Sequence, residues 1–272
     1  MSKCFAVASG KGGVGKSVIT AGIAAALAQN GSRVVIVDAD IGLRSQDALL
    51  SLENRVVYDL IDLANDKCTP DQALLSCEAV PSLHLLPAAQ FDRAKSLNPK
   101  RFHRILEILR NRYDYIFVDC PAGIERGLRN VLNAGVDETI LIVTPDEISL
   151  RSAERAAQVM DAKNSPRPLL VVNRLDPQLV RAGEMMSART ISQVLDLHLI
   201  GVIPEDPVVY RSLLRHDLLI HFDCEARNAV LRLAARLQGR SVPFPPCFSD
   251  RQSLWRRLFS RTIKEVTPID DH

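Results

Sequence analysis

The fold this sequence predicts is a single α/β domain, a mainly parallel, twisted sheet with helices on both faces. Three observations predict it. Short apolar runs bounded by turn residues recur at residues 4–8, 33–38, 83–86, 115–119, 139–143, 169–173 and 199–203. Segments of helical period stand between most of them, among them 17–29, 100–110, 149–162, 188–195 and 224–237. A glycine loop at residues 10–17 joins the first run to the first helix. Strands that alternate with helices imply crossover connections and therefore parallel pairing.

Each element follows from its own chemistry. Residues 4–8 are apolar throughout, as a strand covered on both faces must be, and the Ala/Ile/Leu-rich stretch from Ser17 to Gln29 is a helix to pack beside it. The runs 33–38, 115–119 and 139–143 are equally continuous, so these four strands are expected at the centre of the sheet. No internal repeat and no linker divides the body. The one compositional break lies at 239–250, where Pro243, Pro245 and Pro246 exclude regular structure. The expected organisation is one domain over 1–238, a Pro-rich linker over 239–250, and an amphipathic helix and tail over 251–272.

Composition narrows the function classes. A chain of 272 residues with 47% hydrophobic content buries a substantial core, and a net charge of +2 points to no particular partner. No stretch approaches the roughly 18 to 20 consecutive apolar residues of a membrane span, and the first eight residues lack the pattern of a secretory signal. The cytosol is the expected compartment. The six cysteines are scattered without a C-x-x-C pair, which reads as reduced, mostly buried thiols.

The loop Gly10-Lys11-Gly12-Gly13-Val14-Gly15-Lys16-Ser17 fits the phosphate-binding pattern G-x-x-x-x-G-K-[ST], in the strand-loop-helix context that pattern needs. Gly12, Gly13 and Gly15 are expected to permit positive φ, so that backbone N–H groups line a concave nest for phosphate oxygens at the positive end of a helix. Lys16 is then placed to reach the β- and γ-phosphates and the Ser17 hydroxyl to ligate Mg²⁺. Two further segments end strands with carboxylates: Asp38-Ala39-Asp40 after 33–38, and Asp119-Cys120-Pro121 after 115–119. In a parallel sheet they emerge beside the loop. Asp119 takes the Walker B position, with Asp38 able to share the Mg²⁺ and Asp40 to orient an attacking water.

The loop carries a second lysine, Lys11, at its entrance. The run from Lys11 to Ser17 resembles the deviant Walker A motif of the MinD/ParA group of P-loop ATPases. The segments Asp38-x-Asp40-Ile-Gly-Leu-Arg44, Asp119-x-Pro-Ala-Gly-Ile-Glu125 and Val202-Ile-Pro-Glu-Asp206 are similar to the MinD family in particular. The likeness covers nearly the whole chain. It implies that Lys11 reaches the phosphates of a second ATP-loaded subunit, so that hydrolysis requires a homodimer. It implies that Asp40 positions the water, and that the segments from Asp38 and Asp119 are switches I and II. It further implies that Gly10 to Val18, Asn173, Arg174, Pro204, Glu205 and Asp206 surround the nucleotide, with Asn173 bonded to adenine. Implied partners are MinC-like and MinE-like proteins. Two positions depart from the family pattern: Ser17-Val18 replaces Thr-Thr, and Ser152 stands where an acidic residue would hold the resting signature lysine.

The tail has chemistry of its own. On a helix, Leu254, Trp255, Leu258 and Phe259 share a face flanked by Arg256, Arg257 and Arg261, a pattern suited to an anionic bilayer and matching the membrane-targeting helix of the MinD family. The expected protein is thus an ATP-dependent dimeric switch on the cytoplasmic face of the inner membrane that positions the division site. Alternatives are a ParA-like partitioning ATPase that coats DNA, a relative that positions another cell-surface apparatus, and an iron–sulfur carrier ATPase. Near-neutral charge and the absence of a helix-turn-helix pattern argue against specific nucleic-acid binding.

Overall fold

The computed structural model describes residues 2–90, 98–123, 126–162 and 165–245. The expected membrane-binding residues Leu254 to Arg261, residues 246–250 of the linker, and Glu125 lie outside these. Strands β1 (Lys3–Ala8), β2 (Val34–Asp38), β3 (Leu75–Ser76), β4 (Leu83–Leu86), β5 (Tyr115–Asp119), β6 (Glu138–Val143), β7 (Leu169–Leu175) and β8 (His198–Pro204) form one sheet in the order β3-β4-β2-β5-β1-β6-β7-β8. Every pairing is parallel except that of β3 with β4. The four strands expected at the centre are the middle four.

Helices cover both faces: α1 (Lys16–Gln29), α2 (Gln46–Leu49), α3 (Leu60–Ala64), α4 (Pro70–Ala73), α5 (Pro99–Arg110), α6 (Arg126–Asn133), α7 (Glu147–Asp161), α8 (Pro177–Ala182), α9 (Ala188–Leu195), α10 (Pro207–Leu214) and α11 (Glu225–Leu237). The period of two along each strand divides the core. Cys4, Ala6, Val35, Val37, Ile116 and Val118 pack against α5, α6, α7 and α9. Phe5, Val7, Val34, Ile36 and Phe117 pack against α1 and α11. Because β1 and β2 are both covered on two sides, they read as unbroken apolar runs.

Helix α1 is buried almost all round, which explains its alanines. Small side chains let it lie close to the sheet and to α11, and a Cβ at Gly22 would already stand 3.2 Å from Val230 Cγ1. Helix starts follow local signals. Asn98 caps α5 with Pro99 next, Asp146 caps α7 through the Ser149 N–H, and Ser187 caps α9 through the Thr190 N–H. The unexpected elements are mostly short. At four to eight residues, α2, α3, α4, α6, α8 and α10 fall below the length at which a helix stands alone, so packing rather than periodicity defines them.

Parallel pairing brings three strand ends to one edge. Val7 is in register with Asp119, and Asp119 with Asp38, so the loop after β1 and both acidic strand ends meet at the carboxyl edge of the central strands.

Candidate active site

The loop between β1 and α1 is gripped from both sides. Gly13 and Gly15 have φ of 78° and 89°, the left-handed region that glycine permits; Gly12, expected to share it, does not. At Gly10 an added Cβ would lie 2.4 Å from the backbone carbon and oxygen of Ser152, so α7 rests directly on the loop. At Gly15 it would meet Asn173 Nδ2 at 2.5 Å, and that same nitrogen donates to the Val14 carbonyl at 2.7 Å. Asn173 therefore braces the loop from β7. The Gly123 N–H donates to the Ser9 carbonyl at 3.0 Å, tying the segment after β5 to the loop's start.

Inside the loop lies a buried cluster of charge. Lys16 Nζ donates to Asp119 Oδ1 at 2.6 Å and stands 3.9 Å from Asp40 Oδ2. Asp38 is fully buried and accepts from the N–H groups of Asp40 at 2.9 Å and Gln46 at 3.0 Å. Gln46 Nε2 donates to Asp119 Oδ2 at 2.6 Å and to the Ser17 carbonyl at 3.1 Å, and Ser45 Oγ donates to Ser17 Oγ at 3.0 Å. Two carboxylates thus face one ammonium, and a third, Asp38, is in register with Asp119 on the adjacent strand. The imbalance shows in the acidities: burial, and then the neighbouring Asp119 charge, push the Asp38 carboxyl up to about 7. Burial also raises Asp40, against the pull of Lys16. Burial opposes the charge of Lys16, but Asp119 outweighs it and raises the lysine above its ordinary value.

Lys11 stands apart from this cluster. Its side chain is 42% exposed and its Nζ is 3.5 Å from Asp146 Oδ1, at the start of α7. Ser152 does not reach it; the Ser152 hydroxyl donates to the Ile148 carbonyl at 2.8 Å. A carboxylate one and a half turns earlier on the same helix does so instead. Burial works against the Asp146 charge, but the Thr144 hydroxyl, the Ser149 N–H and Lys11 together hold its carboxyl below the usual carboxylate range.

Beyond the loop is a cavity of about 290 Å³ whose walls include Gly15, Val18, Asn173, Arg174, Pro204, Glu205, Asp206 and Tyr210. All the residues expected around the adenine line it. Arg174 and Glu205 face each other across 3.9 Å at the exposed rim. Asp206 is used twice within the fold, capping α10 through the Val208 N–H and accepting from the Ala226 N–H, so it shapes the wall. A larger cavity of about 830 Å³ lies between α9, β8 and the segment at Phe244, and no residue of the loop touches it.

Comparison with known proteins agrees with this geometry. Residues 1–212 match the family described as ParA, NUBPL iron-transfer P-loop NTPase. The chain is 38% identical over 265 residues to a septum site-determining protein MinD of Synechocystis, covering 97% of this chain and 99% of the relative. The chain belongs to the MinD family of P-loop ATPases. Among solved structures it superimposes on the MinC:MinD cell division protein complex of Aquifex aeolicus with a TM-score of 0.83 at 35% identity, covering 90% of this chain and 98% of the other. A MinD of Pyrococcus horikoshii complexed with Mg-ADP gives 0.76 at 26% identity, covering 87% and 96%.

A MinD-family ATPase uses ATP and Mg²⁺, and the residues present fit both. Among the described residues no group of three acidic, His or Cys side chains forms a chelating cage. That suits Mg²⁺ in a nucleotide site, which takes most of its oxygens from phosphate and water. Asp38 and Asp119 already accept two hydrogen bonds each, so they would hold the ion through its waters, with the Ser17 hydroxyl as a further oxygen. Excess negative charge and the buried, unpartnered Gln46 Oε1 complete the fit. Cys120 fits no cluster: it is fully buried, and burial drives its thiol far above the ordinary range. Two contributors were not legible in advance. Gln46 signals itself only as a polar residue in a place the fold buries, and Asp146 as the Asp-x-x-Ser start of α7.

Proposed function

We propose that this chain is an ATP-dependent dimeric switch that binds the inner membrane surface and positions the cell-division site, with MinC-like and MinE-like proteins as partners. The observation that carries the dimeric part is the division of labour between the lysines. Lys16 is buried against Asp119, whereas Lys11 lies outside the cluster in a weak, exposed pair. A cation so placed is free to serve a neighbouring subunit. Leu43, on the segment following Asp40, and Ile148, on the first turn of α7, are 74% and 65% exposed at the same edge of the sheet, which favours a second copy covering it.

Within one subunit, the loop N–H groups and Lys16 bind phosphate, and Asn173 with the surrounding wall receives adenine. One N–H of the Asn173 amide holds Val14, which keeps the base-binding side chain and the phosphate loop in register. The Ser17 hydroxyl, with Asp38 and Asp119, would hold Mg²⁺, which when bound would supply charge neutralisation at the phosphates. Asp40, raised by burial and near Lys16, orients the attacking water. Lys11 of the second subunit stabilises charge on the transferring phosphoryl group, so turnover follows association. The superposition on a MinC:MinD complex supports a MinC-like partner.

Measuring mass in ATP and in ADP, with ATPase rate over a range of protein concentration, tests this. The expected result is a dimer in ATP only, with a rate per subunit that rises with concentration. In Lys11→Ala the rate falls by about 10³-fold or more while ATP still binds, the magnitude of a cation supplied in trans to a transferring phosphoryl. A concentration-independent rate, or full activity in Lys11→Ala, would refute the switch.

A further inference from the structure

Gln46 opens α2, and its side chain is fully buried. Burying a primary amide is unfavourable unless its hydrogen bonds are made. Two are: Nε2 donates to Asp119 Oδ2 at 2.6 Å and to the Ser17 carbonyl at 3.1 Å. Two acceptors facing one nitrogen fix the orientation of the group, because turning it over would set oxygen against a carboxylate and a carbonyl. The Oε1 atom is then left buried with no partner. A buried acceptor without a donor, on a side chain bonded to the residues placed around Mg²⁺, marks a donor that arrives with the ligand.

We propose that Gln46 is a positioning residue for the metal, its Oε1 accepting a hydrogen bond from a metal-bound water while its Nε2 holds Asp119. The inference rests on the nucleotide-site reading above. It also gives switch I a physical connection to the ion. The Gln46 backbone N–H donates to Asp38 while its side chain grips Asp119 and the Ser17 carbonyl, so the first residue of α2 touches both acidic strand ends and the loop helix at once. A buried amide that only props up the fold would instead act on nucleotide binding with and without metal alike.

The test uses the full chain and a fluorescent ADP analogue, titrated with and without Mg²⁺, so that no turnover is needed. Gln46→Leu and Gln46→Met keep an apolar side chain of similar bulk and remove both the Oε1 acceptor and the Nε2 donor. In Gln46→Leu the Mg²⁺ midpoint of the ADP complex is expected to rise about tenfold, in keeping with other outer-shell partners, while metal-free ADP affinity stays within about twofold. Gln46→Met is expected to give a rise of about the same size, since it too lacks both the acceptor and the donor. Thermal unfolding of each variant without ligand shows whether the fold is retained. An equal loss with and without Mg²⁺, or an unchanged midpoint in either variant, would overturn the assignment. If the unmodified chain gained no ADP affinity from Mg²⁺, the nucleotide-site reading itself would fail.

Discussion

Asp38 and Asp119 end adjacent strands in register, and one lysine cannot balance both of them and Asp40. The consequence is a pH dependence with a definite sign. Asp38 lies at about 7 in the folded chain against an ordinary 3.8, so the folded state keeps a proton that the unfolded state loses between these values. Its contribution to stability is therefore greatest below about pH 4 and declines as pH rises to about 7. Metal-free protein is expected to lose melting temperature from pH 5 to pH 7, with at most about 1.4 kcal/mol per pH unit from one proton. Asp38→Asn, which stays neutral, should flatten that slope. Equal slopes for the two proteins would show that Asp38 titrates elsewhere.

Asp146 makes a second prediction at the same scale. It caps α7 through the Ser149 N–H and also faces Lys11, and Asp146→Asn separates these roles because asparagine caps a helix as well as aspartate does. An exposed pair contributes up to about 1 kcal/mol, so freeing Lys11 should tighten the dimer formed with a non-hydrolysable ATP analogue by about twofold to fivefold. Analytical ultracentrifugation measures this directly. Unchanged or weaker association would mean that Asp146 does not restrain Lys11.

At the scale of elements, the position of α7 is set by Gly10. A Cβ there would meet the Ser152 backbone, which cannot swing aside as a side-chain end can, so Gly10→Ala must displace the helix that carries Asp146. The expected cost is about 1 to 3 kcal/mol in urea unfolding, as for other overpacked sites. Gly12→Ala is the control: its nearest foreign atom would be Ala122 Cβ at 3.8 Å, and its φ is not positive, so stability should hold. Equal stability of the two variants would show that the contact at Gly10 relaxes freely. The same scale explains what sequence could tell. Every strand of the parallel core was legible, because burial on both faces leaves an unbroken apolar run, as in β2 and β5. Helices α2 and α10 were not, being a turn or two whose starts depend on Asp38 and Asp206 lying where the finished fold puts them. The Lys16, Asp40 and Asp119 cluster was visible as strand ends beside a glycine loop. Gln46 and Asp146 entered only when the register of the sheet brought their segments to that loop.

For the whole molecule, the decisive question is how a nucleotide state reaches a membrane. Among the described residues no helix is long and apolar enough to cross one. The linker begins anchored: Arg236 stacks over the Phe244 ring at 3.8 Å and donates to the Val242 and Pro243 carbonyls at 2.9 and 3.0 Å. The described part of the linker is therefore held beside α11. The sequence of residues 251–272 joins Leu254, Trp255, Leu258 and Phe259 to a set of arginines, and under the function proposed above a single copy of this segment is expected to bind a bilayer weakly and reversibly. Two tails held in one dimer make the second insertion intramolecular, which raises avidity about 10²- to 10⁴-fold. Sedimentation with anionic liposomes should thus recover the chain in ATP and leave it in solution in ADP. Removal of residues 251–272 should abolish recovery in either nucleotide while leaving ATP binding unchanged. Equal recovery in ATP and ADP would uncouple the membrane from the switch. Full recovery without the tail would place the membrane contact on the body, and neutral liposomes binding as well as anionic ones would remove the role given to the arginines.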